Sequence, residues 1–171
     1  MLCLRFLRCA PAVLALAVFL PGCCGPAPYH YTYVPGKTAV VRGGRAVAPP
    51  GAPATVKAAI EAGNQIAGLP YRRGGGHGRM YDSAYDCSGA SSFVLREAGL
   101  LGTAIPSTAF RQYGSRGEGD WISVYARNGH VFLVVAGLRF DTGYGHGAKG
   151  PQWTTLSRPA NGCVIRHPEG L

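Results

Sequence analysis

The sequence predicts an α+β domain in which N-terminal helices pack on a small antiparallel sheet. Apolar residues recur at helical spacing over residues 56–67 and 87–98, whereas strand-like apolar segments appear only later, over 121–167. Prolines crowd the chain before residue 54 and thin out after it, so the folded domain is placed at 54–171.

The first helix runs from Val56 to Ala67, with Val56, Ala59, Ile60, Gly63 and Ala67 on one stripe, and Gly68-Leu69-Pro70 stops it. Tyr71 to Gly78 is a glycine-rich loop. A second helix runs from about Cys87 to Ala98, with Phe93, Val94 and Ala98 apolar and Gly99 as its C-terminal stop. Strand segments follow at Trp121 to Ala126, His130 to Ala136, Leu138 to Thr142 and Cys163 to His167. Val135-Ala136-Gly137-Leu138 reads as a tight hairpin with Ala136 and Gly137 in the loop. That register sets Val135 opposite Leu138 and Phe132 opposite Asp141. His130 and Asp141 then share a face as diagonal neighbours, about 7 Å apart at their β-carbons. A slip of one residue would put them on opposite faces.

Ahead of the domain, residues 1–22 read as an export signal. Arg5 and Arg8 precede an apolar run of eleven, Ala10 to Leu20. The run is shorter than the roughly 20 residues a spanning helix needs and has the length of a signal-peptide core. It ends in Leu20-Pro21-Gly22-Cys23, which resembles the lipobox of bacterial lipoproteins and implies cleavage before Cys23 and a lipid on it. A plain secretory signal cut nearby is the alternative. The proline- and glycine-rich stretch that follows, 23–53, reads as a tether holding the domain off a membrane.

The 171-residue chain carries 17 basic and 8 acidic residues, a net charge of +9. Cleavage before Cys23 leaves +7. An anionic partner fits this balance. The basic residues are scattered, with Arg72-Arg73 the one adjacent pair, so an acidic polymer fits better than nucleic acid. The mature chain would keep Cys23, Cys24, Cys87 and Cys163, which is no disulfide framework. No closely paired Cys or His supplies a zinc site, so no metal or cofactor is expected.

The chemistry centres on Cys87, placed in Tyr85-Asp86-Cys87-Ser88-Gly89 where a loop becomes a helix. Unpaired N–H groups and the positive end of the helix dipole favour a thiolate there, and the thiolate is the nucleophile. His130 opens the apolar strand Val131-Phe132-Leu133-Val134-Val135 and is the candidate base. A third group must orient the imidazole through its other nitrogen. Asp141 is the choice on register, with His167 in reserve. Asp86 has two open roles, helix N-cap or contact to a substrate amino group.

Leu69-Pro70-Tyr71 with Gly74-Gly75-Gly76, then Asp86-Cys87-Ser88-Gly89, then Gly129-His130-Val131, resemble the NlpC-type cysteine peptidases of bacterial cell walls. The resemblance runs from about residue 58 to the end, and its most specific part is the Asp-Cys-Ser-Gly motif opening a helix. It implies a compact papain-like fold, with the Cys-bearing helix packed on the sheet that carries the His. It also implies hydrolysis of peptidoglycan stem peptides, commonly between D-glutamate and a diamino acid. Cys87 would attack the amide carbonyl and His130 would carry the proton. Tyr71, Asp86 and Ser88 match positions that line the cleft and hold the substrate's amino end. The sequence departs from the family twice: the third catalytic residue is usually His, Asn or Gln where Asp141 stands, and Phe132 replaces a small Gly.

Other outcomes stay open on the same residues: a muramoyl-alanine amidase, or a non-catalytic wall-binding lipoprotein. A monomer anchored to the envelope by its lipid is expected. His77 reads as a solvated loop-tip residue, His146 as part of a glycine-rich loop, and Cys163 as a buried core thiol. A Cys87–Cys163 disulfide, were it to form, would abolish the nucleophile.

Overall fold

The computed structural model describes residues 26–143 and 150–171. The signal segment, Cys23 and His146 lie outside the described residues. The elements in chain order are β1 (Val40–Arg42), β2 (Arg45–Val47), α1 (Ala54–Ile66), α2 (Cys87–Glu97), α3 (Ser107–Phe110), β3 (Ser115–Arg116), β4 (Ile122–Arg127), β5 (His130–Val135), β6 (Leu138–Asp141), β7 (Gln152–Thr154) and β8 (Val164–His167). This is a mixed α+β fold. Strands β1 and β2 form a small antiparallel hairpin, and the other six form one antiparallel sheet in the order β3-β8-β4-β5-β6-β7.

Both long helices follow from their apolar periodicity. The buried stripe of α1 holds Val56, Ala59, Ile60 and Gly63, and α2 buries Phe93, Val94 and Leu95. Gly63 is required by packing, since a β-carbon there would sit 2.4 Å from Cζ2 of Trp153 on β7. The β5–β6 hairpin has the register the sequence predicts, with Val135 opposite Leu138 and Leu133 opposite Phe140. Its two loop residues, Ala136 and Gly137, both have positive φ (46° and 68°), the backbone twist a two-residue hairpin needs.

The sheet is covered on both faces. Val131, Leu133, Val135, Leu138 and Phe140 meet α1 and α2 in the larger core. Phe132, Tyr125, Cys163, Ala160 and Tyr29 form a second cluster on the opposite face. Most antiparallel sheets leave one face to water. Here the second cover comes partly from the stretch read as a tether, which corrects that expectation for residues 26–53. Tyr29 is buried and exchanges backbone hydrogen bonds with Arg158 in both directions, at 2.9 and 3.0 Å. The Tyr29 hydroxyl donates to the Gly137 carbonyl at 2.9 Å, and the Ala39 N–H donates to that of Ala136 at 2.8 Å. Further on, the buried Asn64 amide of α1 donates to the Ala46 carbonyl and accepts its N–H, which docks β2 on the helix. Prolines and glycines in this segment shape a strap whose polar groups find partners on the domain.

Candidate active site

The start of α2 is built by Asp86. Its side chain caps the helix, with Oδ1 accepting the Gly89 N–H at 2.7 Å and the Ser88 hydroxyl at 3.0 Å. The Asp86 carbonyl takes the Ala90 N–H at 2.9 Å. Oδ2 accepts the Gly74 N–H at 2.8 Å, so the same carboxylate ties the glycine-rich loop to the helix. Burial alone would raise this carboxyl; the hydrogen bonds from Gly89, Gly74 and Ser88, with His77 nearby, outweigh it and hold the acid below its usual range. The cap takes up Gly89 and Ala90, which leaves the N–H groups of Cys87 and Ser88 as the donors a helix start has over.

The loop lies hard against that first turn. A β-carbon on Gly89 would fall 1.9 Å from the Gly75 carbonyl oxygen, and one on Gly76, whose φ is +82°, would meet the Tyr85 ring at 2.5 Å. Gly89→Ala is therefore expected to force the loop off the helix, at a cost of about 3 kcal/mol in stability. Chemical denaturation checks this, and an unchanged midpoint would mean that the contact relaxes without cost.

His77 belongs to this construction and is no solvated loop tip. Its Nε2 lies 3.2 Å from Asp86 Oδ1 and 3.0 Å from Ser88 Oγ. Sequence spacing gave no sign of this, because the contact depends on how Gly74 to Gly76 fold back over the helix start. Tyr71 pairs as an isolated bridge with Tyr85. Burial first, then the adjacent Cys87 and Asp86, raise its phenol above the usual value, so the hydroxyl stays protonated beside the thiol.

Across from α2, His130 stands at the start of β5, mostly buried and near enough to Cys87 for the thiol to act on its charge. Its Nε2 is 2.8 Å from Asp141 Oδ1. With Nε2 engaged, Nδ1 is the nitrogen left to face Cys87. Burial lowers the basicity of the ring, but the Asp141 hydrogen bond and the neighbouring Cys87 outweigh it, so its pKa is raised. The hairpin register thus brings His130 and Asp141 together, as diagonal neighbours on one face.

Asp141 is fully buried within an arginine pair. Its Oδ2 lies 3.3 Å from Arg158 Nη1 and 3.7 Å from Arg139 Nε, while Oδ1 also accepts the Thr142 N–H at 2.7 Å. Both guanidinium groups sit about 6 Å from the centre of the Phe132 ring, which stacks on Tyr125 at 4.7 Å. Sequence reasoning missed both arginines. Arg139 alternates onto the Asp141 face by strand period, which was a readable signal, whereas Arg158 arrives from a distant loop.

His167 does not join the site. It ends β8, whose register places it beside the start of β4, while His130 pairs with Arg127 at the other end of that strand. Its Nδ1 contacts the Gly117 carbonyl at 3.1 Å instead. The reserve role for His167 is set aside on that distance. Cys163 is buried on the Tyr125–Phe132 side, its thiol pKa raised by burial, and both Cys87 and Cys163 are free thiols.

The arrangement has the parts of nucleophilic acyl transfer: a thiol at a helix start, an imidazole in reach, a carboxylate orienting the imidazole, and hydrogen-bond donors around the thiol. No known family model and no curated protein matches this chain.

Proposed function

We propose that the chain is a papain-like cysteine hydrolase of the NlpC type that cleaves an amide bond in bacterial cell-wall stem peptides. The observation that carries the reading is His130 standing near Cys87 of the α2 start while its ring is held by the buried Asp141 at 2.8 Å. His130 takes the Cys87 proton, and the thiolate attacks the amide carbonyl. The tetrahedral oxyanion is met by the N–H groups of Cys87 and Ser88, with the Tyr71 hydroxyl beside them. One such donor contributes about 3–4 kcal/mol to transition-state stabilisation. His130 then gives its proton to the leaving amine as the C–N bond breaks, leaving a thioester on Cys87. Water, deprotonated by His130, attacks the thioester, and the thiol leaves with its proton restored. Asp141 holds the ring oriented throughout and balances the charge of the imidazolium. No cofactor enters this sequence.

The lipobox-like Leu20-Pro21-Gly22-Cys23 supports export and a lipid anchor on Cys23, and the net positive charge suits an acidic stem peptide. We assign cleavage between D-glutamate and the diamino acid by a monomer at the envelope, with Tyr71 and Ser88 bordering the substrate's amino end. One observation favours a second reading. The Asp86 oxygens are taken up by Gly74, Gly89, Ser88 and His77, which weakens the amino-end recognition that separates the peptidase from a muramoyl-alanine amidase.

Two defined substrates separate these readings: a synthetic stem peptide with a free amino end, and the same peptide attached to muramic acid. Products cut after D-glutamate support the peptidase. Peptide released whole from muramic acid supports the amidase. Binding of both without a product supports a wall-binding module.

A further inference from the structure

We infer that Arg158 is a positioning residue for the His130–Asp141 pair, and that the N-terminal strap acts on the site through it. The inference rests on the proposed hydrolase, but its geometry stands apart from any substrate. Asp141 uses its two oxygens for different purposes. Oδ1 holds His130 at 2.8 Å, and Oδ2 faces Arg158 Nη1 at 3.3 Å. The Oδ2 contact is an ion pair without hydrogen-bond geometry, and its attraction in a buried setting opposes rotation of the carboxylate away from the imidazole. Arg158 is in turn placed by its backbone, which trades hydrogen bonds with Tyr29 at 2.9 and 3.0 Å. Tyr29 is also pinned by its hydroxyl to Gly137, in the turn of the hairpin that carries both His130 and Asp141. The strap therefore joins the two ends of one positioning unit, the β5–β6 turn and the arginine behind Asp141. It is also the segment leading out of the proposed lipid anchor, so the anchor-proximal chain forms part of the active-site support.

Cys87 from α2 and Asp141 from β6 act on His130 directly, Arg127 of β4 lies opposite it in register, and Arg139 of β6 and Arg158 of the strap-bridged loop stand against Asp141. Arg158 offsets part of the Asp141 charge that His130 feels. Its removal takes a cation from beside the pair, which raises the ring's titration, and loosens the carboxylate, which lowers kcat and opposes part of that rise.

The test is Arg158→Met and Arg158→Lys in the full chain in detergent, following the His130 ring by nitrogen-15 NMR across pH, with turnover measured in parallel. Arg139 remains beside Asp141 in both variants, and a thermal melt verifies that each folds. Arg158→Met is expected to move the His130 titration upward by about 0.5 in pH or more. It should lower kcat about tenfold with little change in KM. Arg158→Lys should restore the titration but only part of kcat, because an ammonium replaces the charge without the planar fork. Tyr29→Pro, which removes the N–H given to the Arg158 carbonyl together with the hydroxyl bond to Gly137, should lower kcat in the same direction by a smaller factor, and an unchanged kcat there would remove the strap from the scheme. An Arg158→Met protein that melts lower but keeps both the wild-type titration and the wild-type kcat would overturn the inference, leaving Arg158 a structural role. The titration needs no substrate, so an inactive wild type would defeat the hydrolase and still leave this result readable.

Discussion

Cys87→Ser is expected to leave the fold intact and reduce hydrolysis on the order of 10⁵-fold or more. The residue sits in the first turn of α2, where the cap is formed by Asp86 and the packing by Gly75 and Gly76, and neither depends on sulfur. A hydroxyl fits the space but is far less acidic than a thiol, and the helix-start donors that favour a thiolate cannot make up the difference. The measurement is turnover on the stem peptide, with the thermal melt as control. A Ser variant retaining a tenth of wild-type turnover would show that Cys87 is not the nucleophile.

The second large effect is expected at Asp141. Asp141→Asn should lower turnover by about 10³-fold, because the amide can present an N–H to the ring and favour the wrong tautomer. The same change leaves Arg139 and Arg158 facing a neutral group in a buried setting, at a cost of about 3 kcal/mol in stability. The pH behaviour gives the sign. Asp141 raises the His130 pKa, so the Asn variant should titrate its imidazole at lower pH than the wild type. Linkage runs the same way. A folded pKa above the unfolded value of about 6.5 gives stability that is present below 6.5 and is lost as pH rises through the folded value. The Asn variant should therefore lose part of that pH dependence in addition to its overall stability. Turnover unchanged in Asp141→Asn would move the orienting role to another group.

Much of this was legible in the chain because it is local. The α1 stripe, the Gly99 stop, the Ala136-Gly137 turn and the Asp86-Cys87-Ser88 helix start are each set by residues within a few positions of one another. The hairpin register placed His130 near Asp141 for the same reason: a two-residue loop fixes which residues oppose. What escaped the sequence is non-local. Prolines and glycines describe backbone freedom and say nothing of what the segment packs on, so by sequence alone the strap reads as a tether. A signal was nevertheless present. Val131 to Val135 is an unbroken apolar run, and a strand that is apolar on both faces needs cover on both. With α1 and α2 assigned to one face, the other had to be covered by chain outside 54–171 or by the loops. His77 and Arg158 were missed because each reaches the site across a fold-back that no spacing rule encodes. The two-residue β3 and three-residue β7 are too short to show a period of two.

Placing Asp86 in the cap also changes how the cleft is understood. A carboxylate next to a nucleophile invites a role with substrate, yet its oxygens are engaged by the helix, the loop and His77. Its first consequence is mechanical: it sets the first turn of α2, and with it the position of Cys87 relative to the glycine loop.

Hydrolysis of cell-wall peptides by Cys87 is checked by mass spectrometry of purified peptidoglycan incubated with the full chain and, in parallel, with Cys87→Ala. New stem-peptide fragments are expected with the native protein alone, their masses naming the bond cut. Identical digests from two folded proteins, on a wall that another hydrolase can open, would contradict it.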